Sequence, residues 1–89
     1  MRISIDSNLK IKLTKIRRKN PQLFKRVQKQ LKSFSINPKS KSLRIHKLSG
    51  ELKNMWSLSV TKSIRMKYFR FEDEALFFEI GTHDEIYKK

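Results

Sequence analysis

Hydrophobic residues in this chain follow two different spacings, and the change from one to the other divides it into elements. From Arg2 to Asp6 the apolar Ile3 and Ile5 alternate with polar neighbours, the period of a short half-buried strand. Asp6, Ser7 and Asn8 are good helix caps. Beyond them Leu9, Leu13 and Ile16 recur at helical spacing, while Lys10, Lys12, Lys15, Arg17 and Arg18 take other directions. Asn20-Pro21 restarts the chain, with Asn as cap and Pro at the first helical position. Leu23, Phe24, Val27, Leu31 and Phe34 then draw an apolar stripe. Asn37-Pro38 ends this second helix, and Lys39-Ser40-Lys41-Ser42 is a polar, basic connector.

After the connector the period becomes two. Leu43 to Leu48 predicts a short extended segment, Ser49-Gly50 a turn, and strands in meander order follow. Trp56, Leu58 and Val60 alternate with Ser57 and Ser59; Ile64, Met66 and Tyr68 with Arg65, Lys67 and Phe69; Leu76, Phe78 and Ile80 with Phe77 and Glu79. Successive strand side chains point to opposite faces, so one apolar face receives the helices and Trp56 belongs to the core. Ser59, Arg65, Lys67 and Phe69 emerge together on the other face. The expected architecture is α+β: an N-terminal strand and a two-helix hairpin packed on one face of a small antiparallel sheet, with the first strand pairing at the sheet.

Composition adds a partner to this picture. The chain has 89 residues, 37% of them hydrophobic, enough for one domain over 1–89 and too few for two. Its 22 Lys and Arg against 8 Asp and Glu give a formal charge of +14, whose self-repulsion a negatively charged partner offsets. Without cysteine there are no disulfides or thiolate metal sites, and a reducing cytoplasm fits. No apolar run has the length of a signal peptide or a membrane span, so a cytoplasmic protein with no membrane association is expected. Two widely separated histidines form no recognised zinc-ligand spacing, and no nucleotide or flavin motif is present, so neither metal nor cofactor is expected.

Four short runs stand out in the second half: His46-Lys47-Leu48-Ser49-Gly50, Trp56-Ser57-Leu58-Ser59-Val60, Ile64-Arg65-Met66-Lys67-Tyr68, and Ile80-Gly81-Thr82-His83-Asp84-Glu85-Ile86-Tyr87. Together they resemble the RelE/ParE superfamily of toxins from type II toxin-antitoxin systems, in particular the YafQ-like branch. The most specific piece is Gly81 to Tyr87, following a final strand. The resemblance implies a small antiparallel sheet flanked by two helices, in agreement with the periodicity. It also implies an activity: many such toxins cut messenger RNA, often in the ribosomal decoding site, and are silenced by an antitoxin, whereas relatives of similar fold inhibit DNA gyrase. Fold alone does not separate these activities.

Metal-independent RNA cleavage needs a base for the ribose 2′-OH, a cation for the phosphorane-like transition state and an acid for the 5′ oxygen. Histidine suits either proton role, and both histidines of the chain, His46 and His83, lie in these motifs. Alternation puts His46 away from the helices. His83 follows the last strand, where Gly81 is expected to let the backbone turn tightly. The resemblance makes His83 catalytic and gives Arg65 the scissile phosphate, which a guanidinium holds through two parallel hydrogen bonds. Tyr87 matches an aromatic that stacks on a base or assists at the phosphate. Lys47, Lys53, Lys62 and Lys67 supply electrostatic attraction for RNA.

Each assignment has a plain alternative: a role-free loop histidine for His83, a strand-edge histidine for His46, a cation paired with Glu79 for Arg65, an edge-packed aromatic for Tyr87. Asp84 and Glu85 offer a carboxylate to the chemistry, though loop residues of this kind more often cap or are solvated. The chain also departs from the YafQ-like pattern, carrying Ser59 and Ser63 in the segment where that branch has a further histidine and an acidic residue. The leading expectation is a ribosome-dependent mRNA endoribonuclease whose partners are mRNA, ribosomal RNA and an acidic, partly disordered antitoxin. A non-catalytic gyrase-inhibiting toxin and a plain RNA-binding module are the alternatives.

Overall fold

The computed structural model describes residues 1–48 and 54–87. Strand β1 spans Arg2–Ile5 and leads directly into helix α1, Ser7–Lys19, because Asp6 caps it by accepting from the Asn8 amide at 3.0 Å. Asn20 ends α1 and caps α2, Pro21–Ile36, accepting from the Leu23 amide at 3.1 Å, with Pro21 in the first turn where its missing N–H costs nothing. Both helix starts fall where the cap residues placed them. A 3-10 turn, Lys41–Leu43, follows, then β2 (His46–Lys47), β3 (Met55–Ser59), β4 (Ile64–Phe71), β5 (Glu74–Thr82) and a short helix α3 (His83–Tyr87).

The sheet order is β1-β5-β4-β3-β2, with β1 parallel to β5 and the other pairs antiparallel. The first strand does pair at the sheet, setting Ile3 opposite Ala75 and Ile5 opposite Phe77. The helices cover one face, and the core between the layers holds Leu9 and Leu13 of α1, Val27 and Phe34 of α2, and Leu58, Met66, Tyr68, Ala75 and Phe77 of the sheet. Phe34 is its centre, edge-on to Tyr68 at 5.0 Å and to Phe77 at 5.5 Å. Trp56 packs against this cluster, as its alternation required. Burial pushes the Tyr68 phenol up to about 12, against a smaller lowering by Arg70 and Arg65.

Two expectations give way here. Alternation placed Phe78 under the helices and Phe77 outside. Instead Tyr68 pairs with Phe77 and Lys67 with Glu79, so Phe78 is an extra residue in β5 and every position before it is shifted by one. Ala75 and Phe77 therefore enter the core, and Phe78 stacks on Phe69 on the open face, ring centroids 4.6 Å apart. The extended segment from Leu43 to Leu48 also contracts to two strand residues, because Leu43 is fully buried in the core at the end of the 3-10 turn. The Ser49-Gly50 turn lies outside the described residues.

One polar group is buried beneath α2. The Gln30 amide donates to the Ser59 carbonyl at 2.7 Å and to that of Ser42 at 3.4 Å, tying the helix to β3 and to the 3-10 turn. After that turn Arg44 adopts a left-handed backbone (φ 47°, ψ 54°), its N–H on the Lys41 carbonyl at 3.1 Å. For a residue with a Cβ this conformation costs roughly 1–2 kcal/mol.

Candidate nucleic-acid interface

Cross-strand register fixes what shares the open face. One row runs His46, Ser57, Lys67, Glu79; the next runs Ser59, Arg65, Gly81. Beyond the first row the face turns aromatic, with Phe69 between Phe78 and Phe71. Arg65 is on this face, as alternation required, but it is buried: only 7% of it is exposed. Its side chain crosses diagonally over β3. Nε donates to Ser57 Oγ at 3.0 Å, and Nη2 donates to the carbonyls of Ser57 (3.3 Å) and Arg44. A cation is tolerated there because these acceptors replace water.

This geometry changes two expectations about Arg65. The pairing with Glu79 is absent: Glu79 takes Lys67 instead, at 3.1 Å, directly opposite it across the strands. The two parallel hydrogen bonds intended for a phosphate are committed to protein acceptors through Nε and Nη2, and Nη1 is the guanidinium nitrogen left uncommitted among the described residues.

His46 is exposed on β2 directly opposite Ser57, so the fold brings together His46, Ser57, the Arg65 head group and the Arg44 carbonyl. His83 lies elsewhere, at the start of α3 after β5. With β3 and β4 between them, β2, which carries His46, and β5, which leads into His83, are about 14 Å apart by ordinary strand spacing. The His83 side chain is 66% exposed with Nδ1 3.9 Å from the Asp84 carboxylate, and its backbone N–H donates to the Ser63 carbonyl at 3.1 Å. Ser63 thus anchors the His83 backbone. Ser59 Oγ donates to the Thr61 carbonyl at 2.9 Å.

The run from Gly81 to Ile86 acquires a structural explanation. Thr82 and Glu85 form a reciprocal cap: the Thr82 amide donates to Glu85 Oε1 at 2.8 Å and the Glu85 amide to Thr82 Oγ1 at 3.2 Å. Hydrogen bonding to it from the Thr82 backbone first, and from the Thr82 side chain, holds the Glu85 carboxyl below the usual carboxylate range, with a smaller pull from Lys12. Gly81 lies within β5 and not in a tight turn; a Cβ there would meet Glu85 Oε1 at 3.2 Å, so the glycine makes room for the cap. Ile86 anchors α3 by burial. His83 accordingly opens a capped helix, not a loop.

The lysines differ among themselves. Lys62 is exposed in the β3–β4 connection. Lys67 is largely covered and paired. Lys47 faces the opposite side from His46, its ammonium 5.8 Å from the centre of the Trp56 ring. Lys53 lies outside the described residues, as does the Tyr87 side chain at the end of α3. Ser57 and Arg44 were not singled out by sequence reasoning. Ser57 was legible as an open-face residue, but its burial comes from Arg65 crossing over it.

Solved structures with this architecture exist. The YoeB–YefM complex from Staphylococcus aureus has a TM-score of 0.76 and 17% identity, covering 93% of this chain and 97% of that chain. The YoeB/ParE toxin from Agrobacterium tumefaciens has a TM-score of 0.76 and 13% identity, over 93% and 99%. YafQ from E. coli has a TM-score of 0.70 and 17% identity, over 98% and 99%. No family model and no curated protein matches the chain. The fold is that of the RelE/ParE toxins, and it is shared along nearly the whole chain with YoeB and YafQ.

Proposed function

We propose that the chain is the toxin of a type II toxin-antitoxin system and a ribosome-dependent, metal-independent mRNA endoribonuclease. The observation that carries this reading is the toxin fold with an exposed histidine, His46, set beside a buried arginine head group on the open sheet face. In the reaction a base removes the ribose 2′-OH proton, the 2′ oxygen attacks phosphorus, the P–O5′ bond breaks, and an acid protonates the departing 5′ oxygen. The products are a 2′,3′-cyclic phosphate and a 5′-hydroxyl. His46 and His83 serve the two proton transfers, Arg65 contributes positive charge through Nη1, and Tyr87 at the end of α3 meets a base.

The separation between β2 and the start of α3 supports dependence on the ribosome: the free chain holds His46 beside the Arg65 head group and His83 past the end of β5. A ribosome-held message that spans both completes the site. Lys62 and Lys53 attract RNA in this reading, with Lys47 and Lys67 adding charge through shorter-range contacts. The partner proteins in two of the similar solved structures are YefM and DinJ. The corresponding partner here is an acidic antitoxin that offsets the +14 charge.

The test is primer extension on cellular messages after induction of the chain and of His83→Gln. In-frame cuts within translated regions that disappear in the variant, with ribosome binding retained, are expected. Intact messages with arrested replication would move the chain to the gyrase-inhibiting class, and unchanged growth inhibition by His83→Gln would remove that histidine from the mechanism.

A further inference from the structure

Arg65 is held by protein, while the residue it holds is not. Its Nη2 donates to the carbonyl of Arg44, the residue in the left-handed conformation at the end of the 3-10 turn. Among the described residues the other non-glycine positions with positive φ, Asn54 and Glu72, lie in connections between strands; Arg44 instead stands two residues ahead of His46. Glycine or asparagine would occupy this backbone position with less strain. The position carries an arginine whose side chain is exposed and has no hydrogen bond or ion pair among the described residues. Arg44 therefore keeps what Arg65 has given up, a guanidinium whose adjacent nitrogens are uncommitted and able to grip one phosphate through two hydrogen bonds.

We propose that Arg44 binds the phosphodiester backbone of RNA beside His46, and that Arg65 is its positioning residue, fixing the Arg44 carbonyl and hence the backbone from which Arg44 projects. This deepens the reading above and rests on its RNA-binding part, not on cleavage. The chemistry that selects the ligand is a singly charged, bidentate oxyanion within a flexible strand. The chain's large positive charge favours such a strand as the occupant.

Arg44→Gly separates the guanidinium from the backbone it sits on, because glycine relieves the strain while deleting the side chain. The measurement is binding of the full chain to a fluorescently labelled uridine-only RNA strand across a salt series, with thermal unfolding of each variant. For Arg44→Gly the expected result is an unchanged or raised melting temperature, affinity lower by roughly ten- to a hundredfold, and a salt slope shallower by about 0.7, the value of one phosphate contact on a single strand. Arg44→Lys keeps the slope and recovers part of the affinity. Arg65→Lys keeps the slope and loses affinity, since a lysine cannot serve the Ser57 and Arg44 acceptors together.

Wild-type affinity and slope in Arg44→Gly would overturn the proposal, as would a fall in its melting temperature large enough to account for the lost binding. RNA that is bound through Arg44 but never cut, with or without ribosomes, would sink the nuclease reading and leave this one standing. A wild-type chain that binds no RNA overturns both.

Discussion

The two faces of β4 solve the problem of burial by opposite means. On the helix side Met66 and Tyr68 are covered by apolar surface, and their stability comes from area removed from water and from ring contacts around Phe34. On the open side Arg65 and Lys67 are also substantially covered, but their charged head groups keep polar partners: Ser57 and the Arg44 carbonyl for Arg65, Glu79 for Lys67. The helix side tolerates no hole and the open side no unpaired group. Substitutions on the first should therefore change stability, and those on the second should change binding more than stability.

The largest effect expected from this contrast is at Phe34. Phe34→Ala empties the centre of the aromatic cluster and should cost about 3–5 kcal/mol, read as a lower urea midpoint with little change in slope. A loss below about 1 kcal/mol would mean that the core closes over the gap. Next in size is an alkaline effect at Tyr68. Its phenol ionises near 10 in the unfolded chain and only near 12 when folded, so the unfolded state loses its proton first. The contribution of this neutral, buried phenol is complete below pH 10 and is lost as the pH rises toward 12, up to roughly 2–3 kcal/mol. Thermal unfolding against pH, with Tyr68→Phe as reference, isolates it; identical curves would remove Tyr68 as the cause.

The smallest effect belongs to the open face. Lys67→Met removes the partner of Glu79 but keeps the covered stem, and should change stability by no more than about 1 kcal/mol. It should lower RNA affinity, because a cation is lost and the Glu79 carboxylate is left uncompensated on the open face. A destabilisation of several kcal/mol would show that the open face is as dependent on burial as the helix face.

Much of the architecture was legible because its signals are local. Asp6, Asn20 and Pro21 start helices with their own side chains, and the apolar stripe of α2 needs no partner to be seen. What escaped was set by pairing at a distance. Leu76-Phe77-Phe78-Glu79 gives no local reason to choose which phenylalanine is the extra residue; the choice is made by the fit of Tyr68 and Phe77 against Phe34. The face of Arg65 followed from alternation, whereas its burial depended on a carbonyl far upstream at Arg44. The motif after β5 was visible as a motif, but its residues divide between holding Glu85 and presenting His83.

The placement of β1 bears on how the chain is made. Its partner in the sheet is β5, so β1 can pair only after both helices and the strands between them have been made. Ile3 and Ile5 have no strand to join until β5 has emerged, and the apolar stripe of the α1–α2 hairpin lacks Ala75 and Phe77 as cover for the same interval. The nascent chain is then a basic, amphipathic hairpin without a finished sheet. Its open face, and whatever activity that face carries, is complete only once β5 has joined β4.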